Sequence, residues 1–306
     1  MSTIASGVAD PRRIAHPGRR VSRVWRSRVV RRLLAHRSFV TGFTLFAFVV
    51  GVALLAGVIA PSAPDQMVFR DRFTPPGARF PFGTDNFGRN LLSRVVYGAR
   101  LSLEIGFGVM VMTGVAGTLI GAAAGYFRRI DDWLMRAMDA LMAFPAVLLA
   151  IGVTAALGPS MTNAMIALTA VYTPRTARIV RASVLVIREM EYVQAALASG
   201  ARHGRVLLRH VLPNCLAPLI VQLTFIFAYA VLTEAILSFL GMGPQPPTPT
   251  WGNIIAEGRN YIREAAWIAL FPGIAIAVTV LGLNLLGDGL RDGLDPRMPK
   301  TDVQQG

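Results

Sequence analysis

Four histidines, one cysteine and one lysine are the whole supply of imidazole, thiol and amine side chains in this 306-residue sequence. His203 and His210 stand seven residues apart with no carboxylate between them, and His16 and His36 are isolated, so no metal-ligand spacing is present. Lys300 follows Pro299 rather than a glycine-rich loop, which excludes a Walker A phosphate cradle in this chain. Neither His-Glu-x-x-His nor Gly-x-Ser-x-Gly occurs, and no nucleophile is accompanied by a base. A single cysteine excludes a disulfide scaffold, and Cys215 reads as a small packed residue. No catalytic residue, metal or cofactor is expected.

The side chains that could do work are instead charges inside apolar sequence. Glu234 is an acid within the run Leu216–Leu240, and an intramembrane acid is a functional-site candidate. It could meet a cationic group in a pathway. It could equally pair with Arg100, or with a partner chain, and hold an outer gate. Arg136 and Asp139 are three apart, on one face of a helix, and the spacing predicts that they pair with each other. Pro145, further along, predicts a kink. Arg175, Arg178 and Arg181 recur every third residue after Pro174. A voltage sensor would look like this, but a helix emerging into the cytoplasm explains the three better. Gly117, Gly121 and Gly125 repeat every fourth residue, a spacing that lets a second helix approach closely. Static packing within a bundle is the simpler reading and a moving seam between subunits the other.

Positioning such groups requires membrane-length elements. Hydrophobic residues make up 53% of the chain and charged residues 16%, with a net charge of +14. Disordered basic proteins lack such apolar content. A transmembrane helix needs about 20 apolar residues. The segments Phe39–Ala60, Leu101–Phe127, Trp133–Leu157, Asn163–Leu185, Leu216–Leu240 and Trp267–Leu286 meet or approach that, the fourth weakened by its arginines. An all-α polytopic membrane protein with six transmembrane helices is the expectation. The first segment begins after 38 residues and no Ala-x-Ala site follows, so it reads as a span and not a cleaved signal.

Orientation follows from arginine, enriched in cytoplasmic loops. Residues 1–37 hold ten arginines and one acid; residues 175–213 hold seven and two. Both segments should be cytoplasmic, with loops 61–99 and 242–266 outside and both termini inside. Within 21–37 the arginines interleave with Val21, Val24, Trp25, Val29, Leu33 and Leu34, which suggests a basic amphipathic helix on the inner leaflet, a disordered tail being the alternative. The organisation read from this is a basic segment 1–37, a transmembrane domain 38–290, and a cytoplasmic tail 291–306.

The loop 188–213 contains Glu191-Tyr192-Val193-Gln194-Ala195-Ala196 and, later, Gly200, Leu212 and Pro213. Residues 189–199 suit a short helix with acids in its first turn and Gly200 at its end. A second short helix over 202–211 should stop before Pro213. This stretch resembles the EAA loop of ABC-importer permeases (Glu-Ala-Ala, three residues, Gly, then Leu-Pro), with Gln194 standing where the family has glutamate. Phe82–Arg94, Thr233–Gly241 and Asn284–Asp292 followed by Asp295-Pro296 resemble the C-type permease subunit of dipeptide, oligopeptide and nickel importers, and the likeness covers residues 35–298.

The resemblance implies a bacterial inner-membrane permease of the type I importer fold. It implies a pathway formed with a second, homologous permease, and a coupling helix that docks on two cytoplasmic ATP-binding subunits. It implies an extracytoplasmic binding protein meeting the outer loops 61–99 and 242–266, with Asn86 and Trp251 as positions from which crosslinking would test the contact. Glu191, Tyr192, Gln194, Ala195, Ala196, Gly200, Leu212 and Pro213 would then form the ATPase-coupling surface. Peptide is the cargo the resemblance favours; nickel or another small solute is the alternative, and an ion-driven secondary transporter is the rival class. The basic excess reads as topology and anionic-lipid contact, so nucleic acid is not an expected partner.

Overall fold

A computed structural model of the chain describes residues 32–294. The expected amphipathic helix therefore falls largely outside the described residues, of which 32–35 are helical. Among the described residues there is no strand, only an isolated bridge between Thr84 and Asn90. The helices are α1 Arg37–Leu54, α2 Ala56–Ile59, α3 Leu91–Tyr126, α4 Arg128–Met142, α5 Ala146–Leu157, α6 Met161–Arg188, α7 Glu191–Ala198, α8 His203–Val206, α9 Leu212–Phe239, α10 Trp251–Gly258 and α11 Trp267–Leu294.

Length and apolarity suffice for membrane crossing in α1, α3, the continuous stretch His203–Phe239 and α11, and in α4 with α5 if that bent pair counts as one. That gives four to five spans where six were expected. The remaining candidate, α6, is 28 residues long but carries Arg175, Arg178 and Arg181.

Three elements depart from expectation for definable reasons. The second span starts ten residues early, at Leu91, because Asn90 caps it by accepting a hydrogen bond from the Ser93 N–H at 3.3 Å. The third is not one kinked helix: α4 and α5 meet at 92°. Pro145 has no N–H to donate and forces Phe144 out of helical geometry. The second loop helix does not stop before Pro213. After α8 the backbone passes through a π-helical segment, Leu207–Val211, straight into α9. Proline is compatible with a helix's first turn, where its missing N–H costs nothing.

Close approach of backbones joins the long helices. A Cβ on Gly117 would lie 2.6 Å from Thr176 Cβ, and one on Gly125 2.8 Å from Val184 Cβ; Gly121 sits against the Ala177 carbonyl. The glycine row of α3 is thus the seat of α6 within the same chain. A second small-residue seam, Gly42, Gly282 and Gly289, joins α1 to α11. Buried apolar side chains form three clusters. One, around Trp251, Leu91 and Val231, ties α1, α3, α9, α10 and α11. A second, around Ile105, Leu168 and Ile226, ties α3, α5, α6 and α9. The third, around Val184, Val193 and Val206, lies under the loop 188–213.

Candidate functional site

The loop 188–213 folds as a small knob on the ends of α3, α6 and α9. Val193, Val206 and Val211 are fully buried and pack with Val184, Ile187 and Cys215, so the knob has an apolar root. Its other face is open: Glu191, Tyr192, Gln194 and Ala195 are exposed, and Leu208 further on is 69% exposed. Ala196, Ala201 and Leu197 are half-buried against the root.

Local geometry holds the knob rigid. Glu191 begins α7, where a carboxylate complements the helix N-terminus. Gln194 donates its side-chain amide to the Arg188 carbonyl at 2.9 Å, tying α7 back to the end of α6. Arg188 in turn donates to the Gly125 carbonyl at 3.0 Å, at the end of α3. Beyond α7, Gly200 N–H donates to Leu197 O and Ala201 N–H to Ala196 O, at 2.9 and 3.1 Å. That pair of bonds defines a Schellman cap, and it places Gly200 at φ +83°, where a side chain is strained. No atom lies within 4 Å of a Cβ at Gly200, so the requirement there is conformational and not steric. Asn214 donates to the Tyr192 hydroxyl at 3.2 Å and to the His210 carbonyl at 2.7 Å, bracing α7 against the start of α9. Leu212 and Pro213 form the first turn of α9 beside this brace. The predicted loop residues are therefore brought together, with an exposed crown and an immobile base.

At the opposite end, the two segments expected to face outward form one cap. Asp85 is fully buried and accepts hydrogen bonds from the Phe87 and Arg89 N–H groups, each at 2.9 Å. Its second oxygen accepts from Arg89 Nε at 2.5 Å and from Arg94 Nη1 at 2.8 Å. Arg94, only 1% exposed, reaches across to Glu257 of α10 at 2.8 and 3.1 Å, and Arg89 also pairs with Glu257. Two acids and two arginines thus neutralise one another in a site nearly closed to water. Trp251 Nε1 donates to the Val95 carbonyl and Trp267 Nε1 to the Thr84 carbonyl, at 2.9 and 3.1 Å, so the cap is riveted to α3 and α11 as well. Gly88 has φ +73° and lies against the Val68 carbonyl, leaving no room for a side chain. The motif Phe82–Arg94 was visible in sequence; its role as an ion cluster was not, because Glu257 is distant along the chain.

Glu234 lies just beneath this cap and is completely buried. Ser238 Oγ donates to it at 2.6 Å and Ser102 Oγ at 3.4 Å, and Ser102 also accepts the Trp251 N–H at 3.3 Å. The pairing with Arg100, one of the alternatives the sequence left open, does not form. Arg100 instead donates to the carbonyls of Ala53 and Leu54, at 2.6 and 2.8 Å, because the end of α1 leaves those acceptors open. Nor do Arg136 and Asp139 pair. Helix α6 runs beside α4, and Arg178 takes Asp139 at 2.5 Å while Arg181 takes Asp131 at 2.5 and 2.6 Å. Arg136 lies over the Trp133 ring, 5.9 Å from its centre. The helix carrying the arginine triplet continues past it: α6 passes through Pro174 and runs on to Arg188. Glu104, an exposed acid on α3, borders a groove of about 690 Å³ between α1, α3, α9 and α11. Among the described residues no group of histidine, cysteine and carboxylate side chains could hold a metal.

Residues 117–300 match the family model described as binding-protein-dependent transport system inner membrane component. Residues 24–76 match the N-terminal transmembrane domain of oligopeptide transport permease C. A protein of Brucella abortus biovar 1 (strain 9-941), whose name is that of a peptide transport system permease, is 58% identical over 268 residues, 88% of this chain and 90% of its own length. The dipeptide transport system permease protein DppC of Alkalihalophilus pseudofirmus is 43% identical over 275 residues, 90% of each chain. The di/tripeptide transport system permease protein DppC of Pseudomonas aeruginosa is 45% identical over 273 residues, 86% of this chain and 90% of its own.

Proposed function

Since the chain belongs to the family of binding-protein-dependent transport system inner membrane components, we propose that it is the permease subunit of an ATP-driven peptide importer, coupled to its ATPases through residues 188–213. The observation that carries the coupling role is the knob itself. Its apolar root is locked to three long helices, so a push on its crown moves those helices together as a rigid body. An exposed helical element standing on an apolar root suits contact with another chain. Glu191, Tyr192, Gln194, Ala195 and Ala196 form that contact, and Gly200, Leu212 and Pro213 fix its geometry.

The membrane domain crosses six times, α4 and α5 together making the third crossing and α6 the fourth. Residues 1–37 and the knob 188–213, with the end of α6 that leads into it, lie in the cytoplasm. The cap built from residues 61–90 and α10 faces outward and receives the binding protein. A second, homologous permease completes the pathway. ATP is hydrolysed by separate subunits, in keeping with a chain whose one lysine is Lys300.

Reconstitution tests the whole reading. The chain, with its neighbouring permease, ATPases and binding protein in proteoliposomes, is expected to take up labelled dipeptide only with ATP on the ATPase side. Uptake driven by an ion gradient without ATP would overturn it, and nickel uptake in place of peptide would replace the cargo.

A further inference from the structure

The arginine triplet of α6 divides into two kinds. Arg178 and Arg181 each hold a carboxylate of α4. Arg175, one turn earlier, is exposed and makes neither an ion pair nor a side-chain hydrogen bond among the described residues. α6 runs from Met161 to Arg188, which puts Arg175 at its midpoint, about 20 Å from the Arg188 end at 1.5 Å per residue, and the crossing of α6 proposed above makes that midpoint deep in the membrane. The packing of α3 agrees: Thr176 meets Gly117, nine residues and roughly 14 Å from the α3 terminus at Tyr126. A guanidinium at that depth is costly unless it meets water, an anion or backbone carbonyls, and Arg175 donates to no carbonyl among the described residues.

Arg175 also lines a hollow. A cavity of about 270 Å³ opens at the sharp turn between α4 and α5, bordered by Leu141, Phe144, Leu149 and Tyr172, with Arg175 as its single charged residue. The Tyr172 hydroxyl is already engaged with Thr233 at 2.7 Å, so the guanidinium is the free polar group there. Its planar fork matches a carboxylate in two parallel hydrogen bonds. Every unmodified peptide, whatever its side chains, ends in a carboxylate.

We propose that Arg175 lies in the water-filled translocation pathway and binds the terminal carboxylate of the peptide cargo, with the apolar walls of the α4–α5 turn accommodating the adjoining side chain. This rests on the peptide-importer reading above.

The test uses the complete transporter with its binding protein, comparing a dipeptide with its C-terminal amide. Arg175→Gln is expected to raise the KM for the free-acid dipeptide roughly tenfold, the effect of losing a charge-assisted pair, and to leave the amide unchanged. Arg175→Lys should restore part of the difference. Arg175→Cys should react with an anionic, membrane-impermeant thiol reagent, and saturating dipeptide should protect it. The buried Cys215 makes the parent chain a silent control. Equal loss for both cargoes, unchanged KM for both, or an introduced thiol that stays inert in every state would overturn the proposal. So would failure of all three variants to assemble, which would place the guanidinium in a contact between subunits. An unsubstituted transporter that moves no peptide would instead sink the importer reading itself.

Discussion

Asp85 answers to two arginines at once, and its burial decides how much that matters. Exposed ion pairs contribute little, but removing one member of a buried pair leaves the other charge desolvated, at a cost of about 3–5 kcal/mol. Asp85→Asn leaves Arg89 and Arg94, each at most 3% exposed, with Glu257 as their one shared acid, so one buried positive charge is uncompensated. Glu257 is 19% exposed, so water partly replaces it. Thermal unfolding in detergent is therefore expected to show a large fall in Tm for Asp85→Asn and a clearly smaller one for Glu257→Gln; the reverse order would mean the cluster does not hold the cap. Glu234 poses a different question. It is bound by hydroxyls and no cation, so Glu234→Gln keeps the shape and much of the bonding to Ser102 and Ser238. Unfolding should shift little, whereas uptake should fall if the helices it joins must part during the cycle; unchanged uptake of charged and neutral peptides alike would leave Glu234 a purely structural acid. At this scale the sequence exposed which charges were unusual but not their partners. Asp139 paired with a residue 39 positions away and Arg94 with one 163 away, separations over which spacing rules say nothing.

Elements were legible where apolarity or capping chemistry is local. The run Trp267–Leu286 reads directly as most of α11, and Gly200 marks the end of α7 because a left-handed residue is needed there. The turn between α4 and α5 was legible as Pro145, but neither its 92° angle nor the pairing of α4's acids with Arg178 and Arg181 of α6 was. The π-helical segment before Pro213 left no sequence signal at all. In the knob, Ala196 is half-buried at the junction of root and crown, with Ala201 bonded to its carbonyl. Ala196→Arg is expected to leave ATP hydrolysis near its basal rate while uptake drops by an order of magnitude or more, since small mispositioning of a rigid coupling element is amplified. Parallel assays of phosphate release and peptide uptake check this, and retained coupling would remove the docking role. On the α3–α6 seam, Gly121→Leu forces a side chain against the Ala177 carbonyl, and Tm should fall steeply, as expected of overpacking with no room to relax.

For the molecule as a whole, the excess of charge and the apolar runs occupy different stretches of the sequence, and that separation makes a claim about sidedness. The two arginine-rich segments, residues 1–37 and 175–213, carry an excess of nine and five positive charges, which together equal the net +14. If the first segment and the knob end of the second are held in the cytoplasm, every other crossing is determined, including the one through α6. The knob residue Ser199, the cap-side residue Gln66 and Pro159 at the α5–α6 turn are all exposed, and the only native cysteine is buried, so single cysteines at these three positions report sidedness cleanly. A membrane-impermeant maleimide applied to spheroplasts should label Gln66→Cys and Pro159→Cys and spare Ser199→Cys; inverted vesicles should give the opposite pattern. Pro159 is the informative position. It reaches the outer face only if α4 and α5 cross together and α6, with three arginines, crosses back. Labelling of Pro159→Cys from the same side as Ser199→Cys would make α5 and α6 a re-entrant pair, reduce the spans to four, and remove the crossing on which the depth of Arg175 rests.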